Sequence, residues 1–83
     1  MAIVSNLAPA DEDDPRSRIL AATVECLGRY GIAKTTVDDA AKAAGVARAT
    51  VYRHFPDGKE QLIAEAITWA VGRFFHDLAV AVD

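Results

Sequence analysis

Residues 36–55 read TVDDAAKAAGVARATVYRHF, and they carry the clearest structural signal in the chain. Its pattern predicts two short helices joined by a tight turn at Gly45, because a glycine just past a helix end adopts the left-handed conformation at little cost. The second helix, from about residue 47 to 54, offers a core only Val51 and, just beyond it, Phe55. Most of its other side chains are hydrogen-bond donors, so we expect this helix to contact a polar partner.

The same residues meet the requirements of a helix-turn-helix. That motif needs a small residue in the first helix, a glycine in the turn and apolar positions on both sides, and Ala41, Gly45, Val46 and Val51 supply these in order. Its second helix fits the major groove of double-stranded DNA, which is roughly 12 Å wide. Helical hairpins that bind no DNA also use glycine turns. A small helical protein-interaction module without specific DNA binding therefore remains the alternative.

Capping residues place the first two helices. Asp14 suits an N-cap and Pro15 the first helical position, where a missing N–H costs nothing, and Gly31 supplies the stop. Either Thr35 or Thr36 caps the next helix. The inward face of the first helix is predicted to comprise Ile19, Leu20, Thr23, Val24, Leu27 and Tyr30.

A long last helix is predicted from about Gly58 to at least Leu78, with Asp57 as its cap and Glu60 as the capping-box partner. Its apolar positions recur at helical spacing. They are Leu62, Ile63, Ala66, Trp69, Ala70, Phe74 and Leu78. The aromatic end of this helix carries more apolar surface than three short helices can cover.

Composition agrees with one small all-α domain of 83 residues in which alanine is abundant. The net charge is −3, yet residues 29–59 hold six basic against three acidic residues, a local charge of +3 around the polar helix. Cys26 is the only cysteine, which excludes an intrachain disulfide, and we expect it to be a buried apolar residue in a cytoplasmic protein. No segment has the roughly 20 apolar residues of a membrane span.

Residues 16–63 resemble the DNA-binding domain of the TetR family of bacterial transcriptional repressors. The most specific parts are YGIAKTTVDDAAKAAGV (residues 30–46), TVYRHF (residues 50–55) and Lys59 after a short loop. Two features depart from the family pattern. Ala47 stands where serine or threonine is common, which removes an N-cap and a possible phosphate-binding hydroxyl. The loop PDGK is one residue longer than usual.

The resemblance implies an all-α, homeodomain-like three-helix domain followed by a long fourth helix. It also implies DNA-contact roles for Thr36, Arg48, Thr50, Tyr52, Arg53, His54 and Lys59. Arg48, Thr50 and Arg53 would face bases or nearby phosphates, since arginine pairs with guanine and the threonine methyl contacts thymine. Tyr52 and His54 would hold the phosphate backbone, although Tyr52 also suits the edge of the core and His54 a plain helix end.

Thr36 and Lys59 would lie beside phosphates at two helix starts, where free N–H groups attract anions. A lysine in the first turn opposes the helix dipole, by a few tenths to about 1 kcal/mol, and a nearby phosphate would offset this. The competing interpretation is a solvated lysine.

The resemblance further implies a double-stranded DNA operator as partner and, in a full-length protein, a C-terminal domain that binds a small ligand and forms a homodimer. We therefore predict a disordered acidic tail (residues 1–14), a helix-turn-helix domain (15–57) and a connector helix (58–83), in a fragment that is monomeric or weakly dimeric. No cofactor, metal or membrane contact is expected. An enzyme is the weakest option, because His54 and His76 have no evident nucleophile or carboxylate partner and no metal-ligand spacing occurs.

Overall fold

Four helices form the molecule over residues 14–82, the part of the chain that the computed structural model describes. In chain order they are α1 (Pro15–Tyr30), α2 (Val37–Ala44), α3 (Arg48–His54) and α4 (Lys59–Val82). These residues contain no β-strand, which confirms the predicted all-α class. The predicted acidic tail lies outside the described residues apart from Asp14.

Helix α1 begins and ends as its capping residues predict. The Asp14 carboxylate accepts the Arg16 N–H at 3.4 Å, and Gly31, at φ 85°, donates its N–H to the Leu27 carbonyl at 3.0 Å. Cys26 is buried, and burial raises the pKa of its thiol, which therefore stays neutral. The buried residues of α1 are Ile19, Leu20, Ala22, Thr23 and Cys26.

The prediction that Tyr30 belongs to this inward face is wrong, since Tyr30 is 44% exposed. It has the right helical spacing, but it is the last residue of α1, directly before the turn at Gly31. The apolar stripe therefore runs past the part of the helix that is covered by its neighbours.

Of the two candidate caps for α2, Thr36 is the one used. Its hydroxyl accepts the Asp39 N–H at 3.0 Å while the Asp39 carboxylate accepts the Thr36 N–H at 3.0 Å, a complete capping box. Thr35 is instead buried, and its single hydroxyl hydrogen is shared between the carbonyls of Gly31 (Oγ1···O 2.7 Å) and Cys26 (3.2 Å). The two threonines thus fix the loop between α1 and α2 from inside and outside.

We expect Thr35→Val to lower the free energy of unfolding by about 1–2 kcal/mol, because valine keeps the side-chain volume but removes a buried donor from two carbonyls. Urea denaturation followed by far-ultraviolet circular dichroism measures this change. Thr68→Val is the matched control, since the Thr68 hydroxyl donates to the Ala64 carbonyl at an exposed position of α4. Equal losses in the two variants would contradict a special role for the buried hydroxyl.

The start of α4 differs from the predicted Asp57–Glu60 capping box, which is wrong. The helix begins at Lys59, so Gly58, at φ 84°, occupies the cap position and its carbonyl accepts the Leu62 N–H at 2.9 Å. Gln61 takes the reciprocal role, and its side-chain oxygen accepts the Asp57 N–H at 2.9 Å. The residue before Lys59 has a positive φ, which glycine adopts at little cost, and Gly58 rather than Asp57 therefore takes the cap position.

The core lies where α1 crosses α2 and α4, with α3 closing it from the side of α2. Its largest fully buried side chains are Phe55, Ile19, Leu62, Val51, Thr23 and Thr35. Trp69 packs against this cluster and is partly buried. Beyond it, Phe74, Phe75 and Leu78 are 62%, 61% and 48% exposed, which confirms that α4 carries apolar surface the other helices do not cover.

A chain of polar contacts ties α1 to the α3–α4 junction. The Arg16 guanidinium forms an ion pair with Glu65 and lies 4.8 Å from the centroid of the Phe55 ring. Glu65 in turn accepts a hydrogen bond from the Gln61 amide at 2.7 Å. The Arg16–Glu65 pair joins residues 49 positions apart in the chain, and the two contacts of Arg16 hold the end of α3 against α1 and α4.

Candidate nucleic-acid interface

The turn between α2 and α3 has the geometry that its sequence predicts. Gly45 is left-handed (φ 73°, ψ 32°) and donates its N–H to the Lys42 carbonyl at 3.2 Å, while the Val46 N–H reaches the Ala41 carbonyl at 3.0 Å. This pair of bonds is a Schellman motif, which ends α2 and redirects the chain within two residues. Ala41 and Val51 are both buried, so α3 is held close against α2.

Helix α3 presents polar side chains to solvent. Only Val51 within the helix is buried, and Phe55 directly after it is fully buried. Arg48, Tyr52 and Arg53 are exposed, whereas Thr50 and His54 are half-buried. These are the five α3 residues predicted to contact DNA, and the anchors at 51 and 55 leave them on the outer side of the helix-turn-helix.

The N-terminus of α3 lacks a side-chain cap. Ala47 is the N-cap residue and makes no side-chain hydrogen bond, as the departure from the family pattern predicts. The first N–H groups of the helix therefore have no partner from this residue. Such groups are available to an anion from outside the protein.

Arg48, the first residue of α3, contacts one residue of α2 and one residue of its own helix. Its Nε lies 3.3 Å from a carboxylate oxygen of Asp38 on α2, and its guanidinium carbon lies 5.5 Å from the centroid of the Tyr52 ring. The Tyr52 side chain and then the charge of Asp38 raise the pKa of Arg48 above its usual value, so the guanidinium remains charged. Asp38 was not singled out from the sequence.

Tyr52 lies at the edge of the core, as one of its two interpretations predicts, and its phosphate contact stays a prediction. A Cβ on Gly58 would lie 3.5 Å from the Tyr52 ring, so the ring packs against the start of α4. Tyr52 is nevertheless 37% exposed, which leaves part of the side chain at the surface. His54 is half-buried, with its ring 6.4 Å from that of Phe55.

Lys59 contacts the loop that leads to Thr36. Thr36 is exposed at the start of α2, with its hydroxyl engaged in the capping box. Lys59 is half-buried, and its ammonium donates to the Ala33 carbonyl at 3.0 Å, in the loop that leads to Thr36. The ammonium of Lys59 thus has a backbone acceptor in an exposed hydrogen bond, and this contact offsets part of its unfavourable interaction with the helix dipole.

The described residues also contain a groove, which lies away from the predicted DNA-contact residues. Within residues 14–82 no cluster of three or more His, Cys, Asp or Glu side chains could hold a metal ion. An open groove of about 600 Å³ lies between α1, the end of α2 and α4, with Trp69 and Arg73 on one wall. None of the seven predicted DNA-contact residues lines this groove.

The family model for bacterial regulatory proteins of the tetR family matches residues 19–66, more than half of the chain. The chain belongs to the TetR family. The match spans all of α2 and α3 and the buried part of α4, so the helix-turn-helix described above is that of a TetR-family DNA-binding domain. No helix within the described residues has both the length and the apolar character needed to cross a membrane.

Curated relatives of this TetR-family domain are also transcriptional regulators. An uncharacterized HTH-type regulator of Mycobacterium bovis is 40% identical over 73 residues, which cover 88% of this chain and 38% of the relative. A second such regulator, of Mycobacterium tuberculosis, is 40% identical over 58 residues (70% of this chain, 30% of the relative). The HTH-type regulator LmrA of Bacillus subtilis is 37% identical over 54 residues (65% and 29%).

The chain thus spans between 29% and 38% of the length of these relatives. The similarity concerns the DNA-binding domain. It gives no information about the function of the remaining part of each relative. No solved structure matches the chain.

Proposed function

We propose that this domain reads a double-stranded DNA operator by inserting α3 into the major groove. The observation that carries the proposal is the division of α3: Val51 alone is buried within the helix, while Arg48, Tyr52 and Arg53 are exposed on one side of a tight helix-turn-helix. A short helix that gives so little to the core can present its length to a groove roughly 12 Å wide.

In this proposal some α3 side chains contact DNA bases and others contact the DNA phosphate backbone. Arg48, Thr50 and Arg53 contact base edges or nearby phosphates, and arginine suits guanine because its donors match the O6 and N7 acceptors. Tyr52 and His54 contact phosphates, in agreement with a Tyr52 ring that packs on Gly58 and yet reaches the surface. Phosphate contacts fix the orientation of the helix and carry no sequence information directly.

We further propose phosphate contacts at Thr36 and Lys59. An ammonium group has three donors, so the bond from Lys59 to the Ala33 carbonyl leaves two for a phosphate oxygen. Thr36 lies at the end of the loop that Lys59 contacts, where the N-terminus of α2 attracts negative charge. The two residues would bind phosphates of one stretch of the DNA backbone beside the major groove.

For the full-length protein we propose a cytoplasmic homodimeric repressor without enzymatic activity, released from DNA by a small ligand bound in a C-terminal domain. The family membership supports this proposal. Two copies of α3 would then read two half-sites, whereas the present chain, with one α3, would bind one half-site weakly.

The test is a titration of the chain with duplex DNA, selected from a random library, at several salt concentrations. We expect steep salt dependence, because each phosphate contact that is neutralised changes log K by about 0.9 per unit of log salt. Arg53→Ala should weaken binding about tenfold, and Arg73→Ala, which removes the same charge from α4 where Arg73 lies over Trp69, should change it little.

A chain that binds no duplex at low salt would overturn the proposal. Equal behaviour of the Arg53 and Arg73 variants would instead favour a protein-interaction module that docks through the exposed Phe74 and Phe75 of α4. That module makes the arginines of α3 dispensable.

A further inference from the structure

Asp38 lies on the polar side of the helix-turn-helix although its charge repels phosphate. It is the second residue of α2, and its side chain is 68% exposed. The capping box of α2 uses Thr36 and Asp39, so Asp38 has no part in those bonds. Its contact is the ion pair with Arg48, 3.3 Å from carboxylate oxygen to Nε, across the turn from α2 to α3.

We infer that Asp38 is a positioning residue, which orients Arg48 so that its outer edge faces a guanine. The inference rests on the proposed function. The carboxylate contacts the guanidinium on its Nε side, and the Tyr52 ring lies beside it at 5.5 Å. The two terminal amino groups form the opposite edge, and they are the donors that can pair end-on with O6 and N7 of one guanine.

Stability does not explain the pair. Both side chains are largely exposed, at 64% for Arg48 and 68% for Asp38, and ion pairs of this kind add little to folding. A free arginine side chain has many rotamers, and ordering them on binding opposes affinity. The Asp38 carboxylate restricts the rotamers of Arg48 before DNA binds. Less side-chain entropy is then lost on binding, provided that the bound rotamer is the one that Asp38 stabilises.

The same carboxylate weakens attraction to every DNA sequence, because it sets a negative charge close to the phosphates. Asp38 therefore trades general affinity for discrimination at one base pair. This trade separates a positioning role from simple charge: removing the carboxylate should raise binding to arbitrary duplex and lower the preference at the base pair that Arg48 reads.

The experiment selects binding sites from a duplex library with a randomised centre, using the present chain. Arg48→Ala first identifies the base pair whose preference depends on Arg48. Asp38→Asn should then lower the preference at that base pair about two- to fivefold, leave the other positions unchanged and strengthen binding to unrelated duplex. Asp57→Asn is the charge-matched control, because Asp57 lies in the turn before α4 and its backbone N–H contacts Gln61. It should strengthen binding to unrelated duplex and leave every preference intact.

Two further variants separate orientation from charge. Asp38→Glu keeps the charge on a longer side chain and should recover part of the preference. In an Arg48→Ala background, Asp38→Asn should no longer affect that base pair. The unfolding midpoint of each variant, measured by circular dichroism, checks that the fold is kept.

If Asp38→Asn retains the full preference at the Arg48 base pair, or if Asp57→Asn lowers it equally, Asp38 does not position Arg48 and the DNA-reading proposal still stands. If the parent chain selects no sequence, or if Arg48→Ala leaves all preferences unchanged, base recognition through Arg48 fails and the inference fails with it.

Discussion

Phe55→Ala is expected to remove most of the stability of the domain. Phe55 is fully buried and is the largest such side chain, at the junction of α3 and α4. Replacing a buried phenylalanine by alanine lowers the free energy of unfolding by about 3–5 kcal/mol, through lost burial and the cavity that remains. A domain of this size has a total of roughly 4–12 kcal/mol. Arg16 would also lose the ring it lies over.

Urea denaturation followed by circular dichroism measures the loss, and α4 supplies the control. Phe74→Ala and Phe75→Ala make the same chemical change at side chains that are 62% and 61% exposed, so each should shift stability by no more than about 0.5 kcal/mol. A loss at Phe74 or Phe75 as large as that at Phe55 would mean that the end of α4 is covered by contacts other than those with α1, α2 and α3.

Local sequence rules predicted the parts of the fold that local physics controls. Gly45 ends α2 because the left-handed conformation and its two backbone bonds depend on residues within one turn. The caps Asp14 and Thr36 follow the same logic. The inward positions Val51 and Phe55 follow from helical periodicity, which is strong in a short polar helix with few apolar residues.

The errors arose where two local rules competed or where tertiary contacts decided. Asp57 is a good capping residue in isolation, but Gly58 adopts a positive φ and takes the cap position, so Gln61 replaces Glu60. Tyr30 has the spacing of a core residue and lies at the helix end, where no neighbour covers it. Periodicity reports a face of a helix and does not report how far the neighbouring helices extend.

The cationic side chains of the candidate site could be named from the sequence, but the groups they contact within the protein could not. The sequence singles out Lys59 as an unusual cation and the family resemblance points to Arg48, whereas the carboxylate of Asp38 and the carbonyl of Ala33 come from other elements. These pairings depend on how α2 crosses α3 and on where α4 begins. The opposite charges at 38 and 48, on the two helices of one motif, were the signal that could have revealed the first of them.

A double charge reversal, Arg48→Glu with Arg53→Glu, is expected to leave the fold intact and to weaken DNA binding by about two orders of magnitude or more. Both side chains are exposed, and the anchors of α3 are Val51 and Phe55, so the helix should keep its place. The reversal removes two cationic side chains from the proposed DNA interface and places two carboxylates there, which the DNA phosphates repel. Asp38 would then face a glutamate at 48, a local repulsion that adds to the loss.

The matched control is Arg29→Glu with Arg73→Glu, which makes the same change in net charge on α1 and α4. If binding depends on α3 rather than on total charge, the control should keep most of the affinity at a given salt concentration. Fluorescence anisotropy with a labelled duplex measures both, and circular dichroism checks that each variant is folded. Equal weakening in the two variants would show that net charge alone governs the interaction, which would remove α3 from its proposed place in the groove.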